Sequence, residues 1–132
     1  MNREVNNQQD VLDSRDIIER IDELEKELGI DPETVINDMT EEEMGDNPEL
    51  YEELETLRSL ASDGENYSDW KHGATLIRES YFTDYAQELC EDCGYIPKDF
   101  PFFIAIDWEK TAKNIQSDYS SIEYDGITYY IR

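Results

Sequence analysis

Cys90-Glu91-Asp92-Cys93 sets two thiols three positions apart. At that spacing they serve redox chemistry if one thiolate is polarised, or zinc if two further ligands join them. The chain has no other Cys and a single His, His72, in Trp70-Lys71-His72-Gly73. Neither set is complete. The two Cys read as small residues on the buried face of a helix, with a zinc bridge between subunits as the residual chemical use. His72 has no Ser or Cys in a recognisable nucleophile context beside it and reads as a turn residue. Carboxylates are plentiful, but acid–base catalysis needs one of them isolated in an apolar pocket. Only Asp107 stands in an apolar segment, and its position suits a helix cap. There is no D-x-[DN]-x-[DN]-G calcium loop, and the six Gly lie at neither P-loop nor dinucleotide spacing. The expectation is a protein with no catalytic, cofactor or metal site, and not an enzyme.

What remains is charge. The 132 residues carry 34 Asp+Glu against 11 Lys+Arg, a formal net charge of −23. Solubility alone asks for a magnitude of only ~2–8 in a small domain. The excess opposes folding through self-repulsion. It disfavours direct contact with nucleic acid phosphates or an anionic membrane surface. No stretch approaches the ~18–20 apolar residues of a membrane span, and MNREVNNQQD lacks the apolar region of a signal peptide. With two Cys and no disulfide framework, the expected compartment is the cytoplasm. The charge is uneven: residues 1–66 hold 22 acids and 5 bases, and residues 67–132 hold 12 and 6. Most aromatics lie in the second half, which is expected to be the better-packed part.

The elements follow from periodicity and caps. Residues 1–12 are polar and expected to be flexible. Ser14 is placed to cap a helix over about 15–28, where Ile17, Ile21, Leu24 and Leu28 form one stripe and Gly29 is the stop. Asp31-Pro32-Glu33 is a second start signal that opens only a short turn. Residues 38–49 read as an acidic loop or a helix fragment. Asn47-Pro48-Glu49 opens a helix over about 48–62, with Leu50, Leu54, Leu57 and Ala61 in register. Two matching stripes predict an antiparallel helical hairpin over residues 13–62. Residues 62–69 read as a linker and 74–78 as a strand. Ser80 is placed to cap a helix over about 81–93, whose inner face holds Tyr81, Phe82, Tyr85, Ala86, Leu89, Cys90 and Cys93. The loop YIPKDFPFF is expected to cross the core. Asp107 caps a helix over about 108–117. Ser121–Tyr124, Asp125-Gly126 and Ile127–Ile131 spell a β-hairpin with a two-residue turn. The fold class is α+β: an N-terminal acidic helical hairpin, then a small α/β domain over 70–132 that ends in a β-hairpin.

Carboxylates on helices suggest a use for the charge. Duplex DNA carries one charge per ~1.7 Å of axis. Acids at i and i+4 lie ~6 Å apart along a helix, so two or three acidic faces side by side approach that density. A surface of this kind is steered to a basic groove.

The run Leu76-Ile77-Arg78-Glu79-Ser80-Tyr81-Phe82-Thr83-Asp84-Tyr85-Ala86-Gln87-Glu88-Leu89, then Ile106-Asp107-Trp108-Glu109, Asp118-Tyr119 and Ile122-Glu123-Tyr124-Asp125-Gly126-Ile127-Thr128-Tyr129-Tyr130 resembles the C-terminal part of ArdA-like antirestriction proteins. The resemblance covers about residues 74–132. It implies an acidic, often dimeric inhibitor from a phage or mobile element. Such an inhibitor occupies the DNA-binding site of type I restriction-modification enzymes in a bacterial host. The first half departs from the family, with an acidic hairpin in place of the usual N-terminal domains. The acids carried over are Asp84, Glu88, Asp107, Glu109, Asp118, Glu123 and Asp125. The helical faces add Glu19, Asp22, Glu23, Glu52, Glu53, Glu91 and Asp92 to the expected partner-binding surface. The alternatives are the same mimicry aimed at a CRISPR effector, whose channel is also positive, and an acidic adaptor that docks a partner through the Leu/Ile stripe of the hairpin.

Overall fold

The computed structural model describes residues 5–132. Strand β1 (Val11–Asp13) leads into helix α1 (Ser14–Leu28). A short α2 (Glu41–Met44) precedes the long α3 (Pro48–Gly64). Then come β2 (Thr75–Arg78), α4 (Phe82–Asp92), α5 (Trp108–Gln116), β3 (Ser120–Tyr124) and β4 (Ile127–Ile131). The four strands form one antiparallel sheet in the order β1-β2-β4-β3. The α+β class is as the sequence predicts.

Side chains alternate across a strand, and that alternation divides the core in two. Leu76 of β2 and Tyr129 and Ile131 of β4 face one way. They join Leu12, Ile122 and Tyr124 under Ile17 and Leu24 of α1 and Leu54, Leu57 and Leu60 of α3. Ile77 and Tyr130, the neighbours of those strand residues, face the other way. They meet Phe82 and Ala86 of α4 and Ala112 and Ile115 of α5. The molecule is a three-layer stack with α1 and α3 on one face of the sheet and α4 and α5 on the other. The larger core joins residues from Leu12 to Ile131, so the break read at 62–70 does not separate two cores.

Several local signals work as their residues dictate. Gly29 takes the left-handed conformation (φ 67°), and Ile30 N–H closes the cap on Glu25 O at 3.1 Å. Asp107 accepts from Lys110 N–H at 3.0 Å. Asp125 and Gly126 both have positive φ (49° and 84°), as the tight hairpin turn demands. Thr40 and Glu43 cap α2 reciprocally.

Others are corrected. The cap of α1 is Asp13, which accepts from Arg15 N–H at 2.9 Å. Ser14 is fully buried instead: its hydroxyl donates to Trp70 O and accepts from Ala74 N–H, both at 2.7 Å. It stitches α1 to the chain entering β2. Ser80 lies in a 3-10 turn, Glu79–Tyr81, and does not cap α4 with its side chain. The predicted flexible start, residues 1–12, is overturned for its described part. Val11 and Leu12 pair with Ile77 and Leu76, and Tyr129 O–H donates to Gln9 O at 2.6 Å. Residues 1–4 lie outside the described residues. Cys90 is half-buried, and Cys93 is exposed rather than on the inner face, because the smaller core meets α5 at Phe82 and Ala86 and stops short of the end of α4. The loop YIPKDFPFF does not cross the core either: Phe102 is 98% exposed.

Candidate functional site

The acids expected to bind a partner sit on a frame that spares them from packing. Burial selects Ile17, Leu24, Leu54 and Leu57 for the inner faces of α1 and α3. The intervening turns of each helix therefore carry carboxylates to the outside. Glu19, Asp22 and Glu52 are exposed. Glu23 and Glu53 are half-buried because both engage Arg20, Glu53 at 2.8 Å and Glu23 at 3.4 Å. Burial works against the Arg20 charge, but these two carboxylates outweigh it and raise the guanidinium pKa. On the opposite layer Asp84, Glu88, Glu91 and Asp92 project from α4 and Glu109 from α5, all exposed. Glu88 accepts from Tyr81 O–H at 2.9 Å, and Gln87 donates to Glu91 at 3.2 Å. Asp107 and Asp118 flank α5, and Glu123 and Asp125 belong to the hairpin. The fourteen acids therefore divide between two faces of the sheet and its hairpin.

One cleft gathers part of this set. About 260 Å³ in volume, it is lined by Glu49, Glu52 and Glu53 of α3, by Asp125 of the hairpin turn, and by Tyr124 with Val5, Asn6 and Asn7. Contact between α3 and β3 brings these acids together, although more than 70 residues of chain separate Glu53 from Asp125. The Tyr124 phenol is pushed up to about 12, by burial first and then by the charge of Glu53. Its hydroxyl donates to Val5 O at 3.3 Å, so it stays a neutral floor to an anionic rim. Glu109 lines a separate cleft between α4 and α5 with Glu79, Thr83, Lys113 and Tyr130. The remaining acids of α4 and α1 do not line the α3–hairpin cleft.

Sequence reading missed Glu49 as a wall of this cleft, although Asn47-Pro48-Glu49 had already placed it in the first turn of α3. It also missed the Asn6 and Asn7 contribution, since nothing local marks an N-terminal segment that is held by the hairpin. Among the described residues no cluster of three or more His, Cys, Asp or Glu is arranged to hold a metal ion.

Cation placement sharpens the electrostatics. Arg58 reaches inward, pairing with Glu25 at 2.7 Å and donating to the carbonyls of Thr34 and Asp31. Arg20 likewise bridges α1 to α3. These two cations tie the helices together; Arg20 also offsets the charge of Glu23 and Glu53, and Lys26 pairs with Asp22 at 2.8 Å on the outer face of α1. Among the described residues, ion pairs engage Asp13, Asp22, Glu23, Glu25 and Glu53. Most of the acids among the described residues lie outside these pairs. No helix among the described residues is long and apolar enough to cross a membrane. In comparisons with known protein families, characterised proteins and solved structures, nothing matches the chain.

Proposed function

We propose that this chain is a non-enzymatic inhibitor of a bacterial defence enzyme. It offers carboxylates where the target expects phosphates and occupies a DNA-binding groove, that of a type I restriction-modification enzyme first of all. The observation that carries the reading is the division of labour among charges. Arg20 and Arg58 are drawn between α1 and α3, while Glu19, Glu49, Glu52 and Asp125 stay on the outer faces and the cleft rim. A net charge of −23 held on a packed frame attracts a basic groove strongly and at long range. The ArdA-like run over residues 74–132 supports the choice of target. It also brings the expectation of a dimer.

The adaptor alternative keeps only part of its surface. Ile17, Leu24, Leu54 and Leu57 are buried within the chain's own core, while Ile21, Leu28 and Leu50 of the same stripe are half-buried and Ile18 beside them is exposed. The CRISPR-effector alternative uses the same charge and differs only in which complex releases its nucleic acid. A gel-shift competition tests the proposal. At low salt, excess protein is expected to displace labelled DNA from a type I modification complex. DNA that stays fully bound in that excess rejects the proposal, and displacement from a CRISPR effector alone moves it to the alternative target.

A further inference from the structure

The segment between α4 and α5 holds most of the exposed large hydrophobic side chains among the described residues. Phe102 is 98% exposed, Phe103 77%, Tyr95 75% and Ile104 47%. Phe102 and Phe103 meet edge to face, with centroids 5.8 Å apart. Two backbone turns shape the segment: Phe100 N–H donates to Pro97 O and Ile104 N–H to Pro101 O, both at 3.1 Å. Each turn begins at a proline, whose fixed φ limits the freedom of the chain. The Asp107 cap anchors the far end. Aromatics held outward on a constrained loop lose little entropy on binding, which favours their use as anchors. Exposed apolar patches of this kind mark interaction surfaces.

Charge identifies the occupant. Residues 91–110 carry five exposed acids, Glu91, Asp92, Asp99, Asp107 and Glu109, against two lysines, Lys98 and Lys110. A second copy seated on this loop would set acids against acids across the contact, which disfavours that pairing. A basic rim around an apolar pocket fits both features.

We infer that the Tyr95–Ile104 loop is an apolar anchor that inserts into a hydrophobic pocket beside the basic groove of the target protein. This rests on the proposed inhibition. Acidic faces set the encounter rate and its salt dependence, whereas a buried aromatic anchor sets the dissociation rate. The test is surface plasmon resonance of the full chain on an immobilised type I modification complex, with Phe102→Ser/Phe103→Ser as the variant. Circular dichroism checks that the variant keeps its fold. The expected result is a dissociation rate raised about tenfold or more, with association rate and salt dependence unchanged. Wild-type binding with an unchanged dissociation rate in the variant overturns the anchor and leaves the inhibition standing. Absence of wild-type binding overturns both. A dimer in light scattering that the same variant abolishes also overturns the inference, because a second copy then covers the loop.

Discussion

The two faces of the sheet are built on different principles. Under α1 and α3 the core is mainly aliphatic, and it is fastened by Arg20–Glu53 and Arg58–Glu25 across the helix pair. Under α4 and α5 it is small and aromatic, with Phe82 ringed by Tyr85, Tyr119 and Tyr130 at centroid distances of 5.2–5.5 Å. The first face holds a dense field of acids in place. The second holds the segment where aromatics escape the core altogether. A chain this acidic must oppose self-repulsion with packing. It places its larger core beneath the more acidic half of the sequence, where repulsion is greatest.

The comparison breaks first at its aromatic centre. Phe82→Ala is expected to remove about 3–5 kcal/mol, since Phe82 is fully buried and central to the smaller cluster. Thermal unfolding should stay a single transition, because Ile77 and Leu76 are adjacent on β2 and belong to the two cores. Two separated transitions would mean that the faces fold independently. Next comes the fastening of the acidic face. Arg58→Met is expected to cost about 3 kcal/mol in urea unfolding, because it strands a Glu25 side chain that is only 11% exposed. An unchanged midpoint would show that the pair contributes nothing.

A smaller effect probes packing at the end of α3. A Cβ on Gly64 would lie 2.3 Å from the Trp70 ring. Gly64→Ala should therefore destabilise by about 1–3 kcal/mol, whatever helix propensity it gains. The smallest effect is a pH signature. Burial raises the Tyr124 phenol to about 12 and, with the Tyr119 hydrogen bond, raises Tyr85 to about 12 as well. Both folded-state values exceed the ordinary 10, so the native state keeps protons that the unfolded state releases. Their contribution is whole below pH 10 and is lost as pH rises towards 12. Tyr124→Phe should change neutral stability by no more than about 1 kcal/mol and flatten the alkaline decline in a pH series of melting temperatures. An unaltered decline would assign it to other groups.

Local chemistry was legible where a residue decides its own conformation. Asp125-Gly126 fixed the hairpin, Gly29 ended α1 and Asp107 began α5, because each acts on its own turn. The stripes of α1 and α3 were legible through period alone. What escaped depended on distant partners. Three residues of β1 have no signature, and only pairing with β2 makes them a strand. Ser14 looked like a cap because Asp13 and Ser14 are both good ones, and only the approach of Trp70 and Ala74 decides between them. The loop aromatics were read as core because that is where Phe usually goes. Their exposure follows from a smaller core already filled by Phe82 and three tyrosines. The candidate site was half legible. Its acids could be named from helical position, but the cleft that joins Glu49, Glu52 and Glu53 to Asp125 exists only because α3 crosses β3.

The central claim is electrostatic, and its most direct test is the affinity of the full chain for a DNA-free type I modification complex as ionic strength rises. The test compares the wild type with a Glu49→Gln/Glu52→Gln/Asp125→Asn variant, in which Asn preserves the turn. The account predicts tight binding at low salt that falls steeply as salt is added, and a weaker, flatter dependence in the variant. Equal affinity for both proteins at every salt concentration would contradict it.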